Sequence, residues 1–91
     1  MLFVGGGTFS ATVDTKAMCL VHQHRVLLFW SFQNATNSVI ELGEDECFLF
    51  RTNGELVGSV PVDPPYDIVK REAEVEFVSS IFGSQRIQYP K

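Results

Sequence analysis

Lysine is scarce in this sequence. Lys16, Lys70 and Lys91 are the only three, and all charged residues together make up 20% of the 91 positions. A soluble monomer normally carries more charge on its surface, so part of this one is expected to be covered. Basic residues are also outnumbered, seven against eleven acids, and a formal charge of −4 has the wrong sign for gripping phosphates or anionic lipid. Nucleic acid and membrane surfaces are therefore not the expected partners. Long apolar runs are missing too: His22, Gln23, His24 and Arg25 interrupt the longest candidate, far short of the ~20 residues of a spanning helix. The first residues lack the basic flank and small-residue cleavage pattern of a secretion signal, and the expected location is the cytoplasm. In that compartment the two cysteines, Cys19 and Cys47, both set among apolar residues, are expected to be reduced, buried and unlinked. Asn34-Ala35-Thr36 then reads as a polar loop and not as a glycosylation acceptor.

What the chain has in abundance is apolar surface: 45% hydrophobic residues, among them eight phenylalanines, in a length that suits one domain over residues 1–91. The densest stretch is residues 26–32, in which only Ser31 is polar. Read as a strand, it turns Val26, Leu28, Trp30 and Phe32 to one side and Leu27 and Phe29 to the other, so both faces need cover.

Several further strands are legible. After Gly5-Gly6-Gly7, residues 8–13 alternate with period two, which argues against a phosphate-cradling loop, since that needs a helix to follow. Residues 17–21 suit a strand that either turns at 22–25 or runs on through a bulge, because no Gly, Asn, Asp or Pro is there to make the turn. Residues 38–42 form another strand, and residues 47–52 and 55–60 flank Asn53-Gly54, which predicts a type I′ hairpin with positive φ at both positions. Asp63-Pro64 suits a helix start, and Ile68, Val75, Val78 and Phe82 with Gly83 behind them predict a helix over residues 68–82. The rival there is a strand, because residues 72–77 alternate cleanly. The predicted fold class is α+β: a mainly antiparallel, meander-like sheet of five to six strands with one C-terminal helix, an all-β barrel or sandwich being the alternative.

The chemistry-bearing residues are few. His22 and His24 share a face if their strand continues, and with a third ligand from Cys47, Glu41 or Asp14 they could approach a metal; two imidazoles alone are an incomplete site, so no metal or cofactor is assigned. The acidic turn at 41–46 lacks the spacing of a calcium loop. Candidate ligand-binding residues are His22, His24, Trp30 and Tyr66, and no catalytic residue is assigned. One helix covers one face of a sheet, so a homo-oligomer, most simply a dimer, is expected to bury the other through Leu27, Phe29, Phe48 and Phe50. The expected function is a small non-enzymatic interaction module that self-associates. The alternatives are a metal-dependent protein or enzyme centred on His22 and His24, and a carrier of a small apolar ligand in an aromatic cavity.

Overall fold

The computed structural model describes residues 1–90 and is all-β among them. Ten strands follow in order: β1 Leu2–Gly6, β2 Phe9–Asp14, β3 Cys19–Arg25, β4 Phe29–Ala35, β5 Ser38–Gly43, β6 Glu46–Arg51, β7 Leu56–Pro61, β8 Asp67–Lys70, β9 Glu74–Ser79 and β10 Gly83–Gln88. They form three antiparallel sheets, β1-β2-β3, β4-β5-β6-β7 and β10-β9-β8, and none closes into a barrel. None of the described residues forms a helix long and apolar enough to cross a membrane.

The four-stranded sheet is the middle layer. One of its faces carries Ile40, Leu42, Cys47, Leu49 and Val60, packed against Val75, Phe77, Ile68 and Ile87 of the β8–β10 sheet. The other carries Phe32, Glu41, Phe48 and Phe50, against which the β1–β3 sheet sets Phe3, Ser10, His22 and His24. Strand β5 is consequently buried at every position. Fully buried Phe50, Phe77, Ile40 and Leu49 each contribute about 1.5–3 kcal/mol, the largest single increments in so small a core.

Three expectations are corrected. The α+β class fails because residues 68–82 form β8, β9 and the start of a turn into β10. Period two prevails over the helical stripe there: Val75 and Phe77 are buried on the inner face, while Glu74 and Glu76 take the other face, Glu76 covered there by Arg71 and Arg86. The β-branched and aromatic content of residues 75–78 favours the pleated surface for the same reason. The strand expected at 26–32 begins only at Phe29, and a bulge between Phe29 and Ser31 leaves Trp30 unpaired and exposed. The two-sided burial expected of that stretch belongs instead to β5 and β6.

The β6–β7 hairpin forms where Asn53-Gly54 places it, with different geometry. Gly54 has φ 92° but Asn53 is not among the positive-φ residues, so this is no type I′ turn. Gly54 N–H donates to Arg51 O at 2.9 Å and Arg51 N–H to Glu55 O at 2.8 Å, the pattern of a type I turn closed by a left-handed glycine. Gly54 also lies against the β2–β3 layer, where an added Cβ would sit 2.8 Å from Thr12 Cγ2.

Candidate functional site

Strand β3 runs straight through residues 22–25 with a bulge opposite Thr12 and Val13, where Val21 is the extra residue. Beyond it Thr12 pairs with His22 and Ser10 with His24, so the histidines share the inner face of their sheet. Glu41 comes from the middle layer, between Phe32 and Phe48 in register.

These residues form one row of hydrogen bonds. The Ser10 hydroxyl donates to Glu41 Oε1 at 2.5 Å, and His24 Nε2 lies 2.9 Å from Glu41 Oε2. The other ring nitrogen of His24, Nδ1, is 2.8 Å from His22 Nε2. With His24 donating from Nε2 to the carboxylate, its neutral ring accepts at Nδ1, and His22 donates; this tautomer is assigned from the network. Phenylalanines close the site. The His24 ring is 4.3 Å from Phe48 and 6.0 Å from Phe50 between centroids, and His22 is 5.2 Å from Phe50.

Glu41 is fully buried, and a carboxylate moved from water into such a setting costs several kcal/mol unless its oxygens are bonded. Here Ser10 and His24 supply one bond to each oxygen. His22, half-buried at the end of the row, is pushed below the ordinary histidine value first by burial and then by His24, with Glu41 pulling the other way.

The arrangement is not that of a hydrolase. A nucleophilic serine gives its proton to an imidazole, whereas Ser10 is buried and bonded to the carboxylate itself. Among the described residues no group of three or more His, Cys, Asp or Glu side chains is placed to hold a metal ion. Of the proposed third ligands, Glu41 is alongside the histidines. Cys47 lies on the opposite face of the middle sheet, and Asp14 accepts from the Lys16 and Ala17 N–H groups in the β2–β3 turn.

The remaining candidates are scattered. Trp30 and Tyr66 stack on each other at 5.3 Å with planes 15° apart, filling each other's faces, and the Tyr66 hydroxyl donates to Gly43 O at 2.7 Å. Burial pushes the Tyr66 phenol and the Cys47 thiol up. Of the expected interface residues, Leu27 is exposed, Phe29 lies against Gly5, and Phe48 and Phe50 are buried under the histidines. Cys19 and Cys47 are both free, Cys47 buried but Cys19 exposed, contrary to the burial expected of it. A cleft of about 430 Å³ lined by Thr36, Glu72, Ala73, Gln88, Tyr89 and Pro90 shares no residue with the histidine row.

Reading the sequence missed a surface as well as Ser10. The outer face of the β1–β3 sheet is laid out by register as Leu2, Val13 and Leu20, then Val4, Ala11 and Gln23, then Gly6, Phe9 and Arg25. Leu2, Val4, Phe9 and Leu20 are 45–52% exposed, and they surround a buried Ala11. The signal was present in the alternation of residues 8–13, which marks Phe9, Ala11 and Val13 as one face. The outer face of the β8–β10 sheet is mixed, with Val69 and Val78 exposed beside a charged network. There the Glu76 carboxylate accepts from Ser84 and Arg71, with Arg86 close by, and is held below the usual carboxylate range chiefly by the Ser84 bond and then by Arg71. No protein family, curated protein or solved structure matches the chain.

Proposed function

We propose that this protein is a non-enzymatic interaction module that self-associates through the outer face of its β1–β3 sheet. The observation that carries the reading is an inverted pattern. In that sheet Ser10, Thr12, His22 and His24 point inward, while Leu2, Val4, Phe9, Val13 and Leu20 point outward. An outer sheet facing water puts its polar residues outside, as β8–β10 does in part, with Arg71 and Arg86 covering Glu76 beside Val69 and Val78 outside and Val75 and Phe77 inside.

A second copy is the occupant that suits this face. The apolar side chains present on the order of 400 Å², the size of the largest patch on a typical monomer, which is often a functional surface. That is about half of the ~800 Å² that one partner contributes to a standard interface, leaving the remainder to a polar rim. Gln23 and Arg25 stand at one margin as such a rim, and the layout includes no acid that would call for a basic partner. Flat sheets stack face to face at about 10 Å, and a two-fold axis along the strands keeps the two Arg25 guanidiniums on opposite margins.

Light scattering during size-exclusion chromatography at micromolar concentration tests the reading. A particle of at least twice the 10.2 kDa chain mass is expected, with Leu20→Glu reverting to the chain mass while keeping the wild-type circular dichroism spectrum. A wild-type particle of 10.2 kDa overturns the proposal.

A further inference from the structure

The docking face and the histidine row are the two sides of one sheet. We propose that protonation of the row releases the β1–β3 sheet from the four-stranded sheet, and with it the docking face, so that self-association is switched off by mild acid. The regulatory clause rests on the docking reading above; the release itself does not.

Lone pairs limit the charge that the row can hold. The bond between His22 Nε2 and His24 Nδ1 needs one nitrogen without a proton, so the row accommodates at most one imidazolium between the two rings. A second proton removes that bond and sets two positive rings side by side, their centroids 4.9 Å apart, with a single carboxylate on the far side of His24. Among the described residues no charged group from the strands facing the row offsets this. Strand β1 presents Phe3 and Gly5, β2 presents Thr12 and Ser10, β4 presents Phe32, and β6 presents Phe48 and Phe50. The further titratable or charged groups of these elements are Asp14 and Cys19 beyond the bulge on the same face, and Arg51 and Glu55 at the β6–β7 turn, 3.7 Å from each other.

The sign follows from His22. Burial lowers its value in the closed sheet, so the open state takes up the proton more readily. The stabilisation is complete above the ordinary value of about 6.5 and is lost as pH falls through the lower value of the closed state.

Amide hydrogen exchange of β1–β3 between pH 7.5 and 5.5, corrected for intrinsic rates, tests the release in wild type and in His22→Gln. Glutamine keeps a hydrogen-bonding group against His24 without a second titration. If opening takes up one proton, wild-type opening rises by up to about tenfold per pH unit between the ordinary histidine value and the lower value of the closed state, while His22→Gln stays flat. Parallel losses in the two proteins overturn the release, since a merely structural role lowers protection equally at every pH. Particle mass read at the same two pH values tests regulation: dimer at 7.5 and single chains at 5.5 in wild type, dimer at both in His22→Gln. A dimer that persists in wild type while β1–β3 exchange opens overturns the regulatory clause. Single chains at pH 7.5 sink the docking reading instead, and the release then stands or falls on exchange alone.

Discussion

Replacing Glu41 by leucine removes one carboxyl group and strands two partners. The Ser10 hydroxyl loses its acceptor, and so does His24 Nε2, between layers where Glu41 is 0% and Ser10 2% exposed. A buried polar group left without a partner costs about 1–3 kcal/mol, so the two together cost about 2–6 kcal/mol. Leucine has nearly the volume of glutamate and needs no solvation, which returns part of this. The expected net loss is about 3 kcal/mol, a large fraction of the ~5–10 kcal/mol that a chain of this length holds. With a urea slope of about 1 kcal/mol/M, the midpoint falls by roughly 3 M.

The same reasoning predicts recovery when all three partners go. Ser10→Ala and His24→Leu each cost about 1–3 kcal/mol alone, yet the triple variant with Glu41→Leu leaves only His22 without its partner, and that residue is half-buried. The triple variant should therefore lie within about 1.5 kcal/mol of wild type, far above the sum of the single losses. Urea unfolding followed by tryptophan fluorescence measures all four proteins. Additive losses would refute the idea that the row acts as one unit.

Two further outcomes follow from the geometry. Gly54→Val places a β-branched residue at φ 92° with its Cβ against Thr12 and Val21, so stability should fall by about 2 kcal/mol or more; an unchanged denaturation midpoint would count against the left-handed turn. In native protein at pH 7.5 a thiol reagent should modify Cys19 quickly and Cys47 only after denaturation, because Cys47 is buried and its thiol is pushed up by that burial. Two rapidly reacting thiols per chain would contradict that burial.

What was legible in the sequence was local. Strands β2, β5, β6 and β7 fall within a residue or two of where alternation and Asn53-Gly54 put them, because strand period and turn chemistry are written in neighbouring residues. The shared face of His22 and His24 was legible in the same way, conditional on β3 running on. The helix was misread because residues 68–82 satisfy both periods in part, and the deciding factor was an apolar face of the middle sheet waiting to be covered by Val75 and Phe77. Glu41 and Ser10 could not be paired from sequence at all. They stand 31 residues apart, and each alone looks like an ordinary surface residue in an alternating strand.

The expected self-association came from a premise that failed, that one face of the central sheet lies bare, since the chain covers both faces with its own outer sheets. The reason to propose it has moved outward. Turning β2 over would put Phe9, Ala11 and Val13 against Phe48 and Phe50, the ordinary way to bury apolar surface. It would also carry Ser10 away from Glu41, and the same flip in β3 would carry His24 with it, leaving a buried carboxylate with no partner. That cost, several kcal/mol, competes with about 1.5–3 kcal/mol for each large side chain left outside. The inverted sheet is favoured over its flipped form if the outer face finds cover elsewhere, which ties the buried Glu41 to an occupied outer surface. Substituting Glu41 with leucine removes the reason for the inversion, and the same light-scattering measurement should then show weaker self-association as well as lower stability.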